Sequence, residues 1–165
     1  MTGPGFSRAL CGFVLVVAAS AAGAAHAQSR TPTAQEVNAI RGCASKNQDD
    51  LDAGAQQCLF KLVADPCMGD PGSKSDGQIA DCYEIEGVIW DDLLSANYKT
   101  LLDELDDQQT AKARTMQRAW LAYRDTTCQF YDDKIQGSMA GMMIAACVTR
   151  ETARRAMLLA FFSRL

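Results

Sequence analysis

Residues Gln117 to Cys128 read QRAWLAYRDTTC, and the periodicity of this stretch decides the fold. Trp120, Tyr123, Arg124, Thr127 and Cys128 recur at three- and four-residue intervals, with Gln117 one turn earlier. A helix gathers them on one face, whereas a strand scatters them over two. An arginine inside an aromatic stripe needs a carboxylate or carbonyl partner, because an unpaired charge against apolar surface is costly. Where that partner lies sets how the helices are arranged.

The helix that carries this stretch should run from Asp107 to about Tyr131. Upstream, Ser75 to Asp106 reads as one long helix with Trp90, Asp91, Leu94, Tyr98, Leu101, Leu102 and Leu105 along its stripe. Gly87 lies within it and costs about 1 kcal/mol relative to alanine, which marks a place for a kink. Asp103, Glu104, Asp106 and Asp107 suit a helix start and not a helix end, so they mark a tight turn with Asp106 or Asp107 as the cap. Downstream, 132–137 is a polar turn, and Met139 to about Phe162 forms the last helix. Toward the N-terminus, Thr33 and Glu36 have capping-box spacing for a helix from Ala34 to about Lys46. A second, from Ala55 to Ala64, is closed by Pro66, and a glycine- and proline-rich loop follows to Ser75. No segment alternates as a strand. The expected fold is all-α: an antiparallel bundle of about five helices stapled by disulfides.

The first 27 residues do not belong to that bundle. Arg8 precedes an apolar run from Ala9 to about Ala22, and Ala25-His26-Ala27 has the small-x-small cleavage pattern of a secretory signal. The run is shorter than the ~20 residues that span a bilayer. Cys11 lies at its start, which argues against lipoprotein-style processing there. Cleavage after Ala27 makes the protein periplasmic or secreted, with no membrane span. It also leaves an N-terminal helical hairpin over 28–66 and a helical domain over 67–165, packed as one unit. Removing Arg8 takes the charge from 16 − 20 = −4 to 15 − 20 = −5. A mildly acidic exported protein is drawn to cationic partners and not to nucleic acid.

Six cysteines remain after cleavage, and an oxidising compartment makes an even set a disulfide framework, although sequence alone leaves several connectivities open. Turn symmetry favours Cys43 with Cys58, Cys67 with Cys82 and Cys128 with Cys147, each pair straddling an expected turn. The same symmetry, about a turn near residue 107, sets Asp91 opposite Arg124 and Leu94 opposite Trp120. Trp90, Asp91, Tyr98, Gln117, Trp120, Tyr123, Arg124 and Asp125 are then expected to form a structural clasp, with Arg124 paired to Asp91 between the two tryptophans. Core filling is the expectation for Met139, Met142 and Met143. For Arg150, Arg154 and Arg155 it is a surface facing acidic helices, and for Phe161 and Phe162 docking into the bundle.

Cleavage removes His26, the only histidine, and with it the serine–histidine and cysteine–histidine nucleophile arrangements. No CxxC pair is present for a cysteine-only metal site. Paired carboxylates of the glycosidase kind are available, but most stand in acidic runs at helix ends. The expectation is no catalytic residue, no cofactor and no metal.

The order Trp90-Asp91, Leu94, Tyr98, Leu101, Gln117, Trp120, Tyr123-Arg124-Asp125, Cys128, Gly137-Ser138, Cys147, Thr152, Arg155 resembles the lysozyme inhibitor LprI-like family of exported bacterial proteins. The likeness covers about 80–158, and QxxWxxYRDxxC is its most specific piece. The family often has asparagine where Ser95 stands. The resemblance implies a helical, disulfide-bearing module without catalytic residues and, for the family's namesake, inhibition of lysozyme. A binding protein for a cationic lysozyme or other cell-wall hydrolase is therefore expected, attracted through Asp103, Glu104, Asp106 and Asp107. The alternative is a periplasmic structural or adaptor module that binds another envelope protein.

Overall fold

In the computed structural model, the described residues are 1, 30–50 and 53–165. The expected signal segment after Met1, and Leu51 at the centre of the first expected turn, lie outside them. Among the described residues the chain is helical, without strands: α1 (Ala34–Lys46), α2 (Gly54–Cys58), α3 (Ala64–Met68), a 3-10 turn (Pro71–Ser73), α4 (Asp76–Glu104), α5 (Asp107–Ile135) and α6 (Ser138–Phe162).

Capping boxes begin three of these helices. Thr33 with Glu36, Ser75 with Gln78 and Asp106 with Gln109 each satisfy two backbone amides reciprocally at the starts of α1, α4 and α5. Asp106, not Asp107, is therefore the cap within the acidic turn.

The second expected helix does not form as one piece. Leu59 is extended, Phe60 takes φ +68°, and the chain restarts as α3 at Ala64. Pro66 does not terminate a helix. It sits in the first turn of α3, where a missing N–H removes no intrahelical bond. A left-handed phenylalanine is strained. It is held by the Glu86 carboxylate, which accepts from the Phe60 amide at 2.8 Å and the Ala64 amide at 3.0 Å, and by the Tyr83 ring, 4.8 Å away edge to face.

Successive long helices run antiparallel, so α4 and α6 lie parallel to each other: Ser138 donates to Asp76, Thr149 to the Tyr83 carbonyl, and Asn97 to the Ala156 carbonyl. These two helices share the most extensive interface in the molecule. Gly87 permits it. A Cβ at Gly87 would stand 2.8 Å from the Thr149 hydroxyl oxygen, and α4 continues unbroken through the glycine. The core spreads from this seam through Ile85, Ile89, Trp90, Ala153, Ala156 and Leu159 to Ile40, Cys58 and Val63 of the N-terminal segment. The structure joins Cys43 to Cys58, Cys67 to Cys82 and Cys128 to Cys147, with Cα separations of 5.7, 5.6 and 5.5 Å.

Candidate functional site

Glu86 and Arg155 are the charged residues at the centre of the molecule. Glu86 is fully buried. Its oxygens take the Phe60 and Ala64 amides and the Trp90 indole N–H, the last at 3.1 Å. Burial pushes its carboxyl above the ordinary range, and these three donors pull the other way. Its chemistry is that of a tie between α4 and the α2–α3 break. The sequence does hold a signal for it. Glu86 stands between Ile85 and Ile89, four residues before Trp90, where a solvated acid does not belong.

Arg155 is also buried, 6% exposed, which corrects its placement on an exposed basic face beside Arg150 and Arg154. Those two remain outside and approach Glu151 at 3.7 and 3.8 Å. The Arg155 Nε donates to Gln117 Oε1 at 3.0 Å, and its guanidinium carbon lies 5.5 Å from the centre of the Trp120 ring. Burial lowers its pKa from the ordinary arginine value.

The expected pairing of Arg124 with Asp91 is not present. Arg124 donates twice to its neighbour Asp125, at 2.7 and 2.9 Å, reaches the Thr152 hydroxyl at 3.4 Å, and stands 5.1 Å from the Trp120 ring centre. The expectation placed α5 directly against α4. In the structure α5 packs on α6, so Arg124 and Gln117 find their partners there. Trp120 therefore meets two guanidinium groups, a favourable cation–π arrangement. The clasp residues divide accordingly. Gln117, Trp120 and Arg124 join α5 to α6, Trp90 is buried beside Glu86, and Tyr98 packs at the edge of the core. Asp91, Tyr123 and Asp125 are exposed.

Met139 is 50% exposed and fills no core position, whereas Met142 and Met143 are half-buried. Phe162 packs against the core, and Phe161 lies under the Arg164 guanidinium at 5.8 Å. In the acidic turn, Asp103 holds Lys99 at 2.7 Å and Asp106 caps α5, while Glu104 and Asp107 are open to solvent. Four residues expected to act alike thus have different duties.

Because α4 and α5 both rest on α6 and not broadly on each other, a strip of α6 between them stays open over part of its length. A groove of about 570 Å³ remains there, floored by Ile144, Ala145 and Val148, with Val88 on the α4 wall and Arg124 on the opposite side. Glu84, Asp91 and Asp92 stand along the α4 wall. Among the described residues no group of three His, Cys, Asp or Glu is arranged to hold a metal ion, and no helix is long and apolar enough to cross a membrane.

A family model described as Lysozyme inhibitor LprI matches residues 67–159. No curated protein and no solved structure matches the chain. The matched segment begins at Cys67 and contains α4 and α5 whole, most of α6, and the Cys67–Cys82 and Cys128–Cys147 bridges. It spans more than half of the 165 residues, and the chain belongs to the lysozyme inhibitor LprI family.

Proposed function

We propose that the mature protein is an exported inhibitor that binds a cationic, lysozyme-type cell-wall hydrolase and occludes it. The family match over 67–159 carries this reading. The acidic balance of 20 carboxylates against 16 lysines and arginines supports it, because opposite net charges speed encounter. Three disulfides fit an oxidising compartment, in keeping with a signal peptide over 1–27 and periplasmic or secreted residence. The protein acts in this reading as a binder without catalysis or cofactor. Its acidic turn, chiefly Glu104 and Asp107, contributes long-range attraction.

Titration of the oxidised mature protein into lysozyme acting on peptidoglycan at low salt tests the reading. Inhibition that weakens as salt rises is expected. Undiminished lysis at a molar excess of the protein overturns it.

A second reading, an adaptor for another envelope protein, draws on Leu121, Tyr123, Phe130 and Ile135, which leave α5 with exposed apolar side chains. Capture from periplasm distinguishes the two, since the adaptor reading requires a partner that is not a hydrolase.

A further inference from the structure

The groove beside α4 exists for a packing reason. Gly87 lets α4 and α6 approach closely, α5 packs on α6 and not broadly on α4, and between the two a groove remains over α6 in which Ile144 and Val148 are only partly covered. Its volume, about 570 Å³, falls in the range of roughly 300–1,000 Å³ usual for ligand sites. The α6 residues that line it run from Gly141 to Thr152, a span of twelve residues that extends ~17 Å at the helical rise. That matches one face of a short loop better than a single side chain.

The rim supplies the sign of the partner. Glu84, Val88, Asp91 and Asp92 follow one another at helical spacing on the α4 wall. None of the three carboxylates has an ion-pair partner among the described residues. The cation across the groove, Arg124, is already bound to Asp125. An apolar floor under an uncompensated acidic wall complements an apolar side chain flanked by lysine or arginine.

We propose that this groove is the docking site for the hydrolase, receiving a loop of that enzyme that presents an apolar side chain between basic residues. The assignment rests on the inhibition reading and gives it a location. Encounter is steered by the net acidity and the exposed turn, and residence is set in the groove.

The substitution that tests this is Gly141→Leu. Gly141 lines the groove and a Cβ there meets nothing within 4 Å, so the position accepts a side chain at its base, and leucine is the better helix former. Affinity for purified lysozyme is expected to fall at least tenfold, with the thermal midpoint kept or raised. Val88→Lys, at a position 47% exposed, sets a cation in the acidic wall and should weaken binding equally. Asp91→Asn with Asp92→Asn should also weaken it and reduce its salt dependence. Faster dissociation is expected for Gly141→Leu and Val88→Lys, against slower association for Glu104→Gln with Asp107→Asn.

If the wild-type protein inhibits lysozyme and the folded groove variants inhibit equally well, the groove assignment is overturned and the inhibition reading stands. If the wild-type protein neither binds nor inhibits, the reading falls and the assignment with it. A wild-type dimer that Gly141→Leu disperses, with lysozyme binding unchanged, identifies the occupant as a second copy and likewise overturns the proposal. Should Gly141→Leu not fold, Val88→Lys decides.

Discussion

α4 and α5 are both 29 residues long and both begin with a capping box, yet they do different work. α4 buries seven residues, among them Glu86 and Trp90, while α5 buries only Ala113, Gln117 and Cys128. One helix is the axis of the core and the other lies along its side, attached through α6. A helix so exposed is held by a few strong local ties and not by broad burial. The contrast locates rigidity in the α4–α6 seam with its N-terminal cover, and it makes α5 the element that can lose its place while the core persists.

The strongest test of that division is Glu86→Ala. It leaves the Phe60 and Ala64 amides and the Trp90 indole buried without an acceptor, and the loss of one side of such a tie costs about 3–5 kcal/mol. Urea denaturation should show cooperative loss of the whole fold. Glu86→Gln should recover part of the loss, because one amide oxygen still accepts while its NH2 confronts a remaining donor. A variant as stable as wild type would remove Glu86 from the core's foundations.

Opening the Cys128–Cys147 bridge should have a smaller and more local effect. The cysteines are 19 residues apart, so the chain-entropy contribution is about 3 kcal/mol. In the paired substitution Cys128→Ala with Cys147→Ala, amide exchange should accelerate in α5 before α4 and α6. Uniform acceleration across all three helices would show that α5 is as integral as the seam.

Two glycines sharpen the comparison further. Gly87→Ala forces a Cβ to within 2.8 Å of the Thr149 hydroxyl, and overpacking of this kind costs about 1–3 kcal/mol, partly offset by helix propensity. Gly141→Ala meets open space and should stabilise by up to about 1 kcal/mol. Thermal midpoints that move in the same direction would contradict the close approach at Gly87.

The helices were legible in the sequence because capping residues and periodic apolar positions are local signals. Thr33, Ser75 and Asp106 each stand three residues before a glutamate or glutamine that completes a capping box. What was not legible depends on which helices meet. Turn symmetry about residue 107 assumes that α4 and α5 pack face to face. The seam at Gly87 and Thr149 draws α6 against α4 instead, so Arg124 turns to Asp125 and Thr152. Arg155 looked solvated because Arg150, Glu151 and Arg154 precede it, and only the approach of Gln117 and Trp120 makes its burial tolerable. The break at Phe60 was hidden for a similar reason: the carboxylate that stabilises it lies 26 residues away.

The smallest expected effect distinguishes the edge of the molecule from its centre by pH. The hydrogen bond from Arg30, together with bonds from Thr33, holds the Glu36 carboxyl down at about 2, whereas an unfolded glutamate titrates near ~4.3. The folded state therefore binds this proton less readily, and the stability that Glu36 contributes is present above ~4.3 and lost as pH falls toward about 2. Glu86 has the opposite sign. Its raised carboxyl binds a proton more readily when folded, so its titration favours folding at low pH and loses that contribution as pH rises through the raised value. Urea midpoints of wild type and Glu36→Gln should thus differ at neutral pH and converge by about pH 2. Arg30 is 47% exposed, and solvent screening keeps the difference below about 1 kcal/mol. A difference that persists undiminished at pH 2 would mean that Glu36 acts through packing and not through its charge. If the wild-type curve instead rises toward acid, the buried carboxylate outweighs the capping one, and the acid limb is governed by the α4 core.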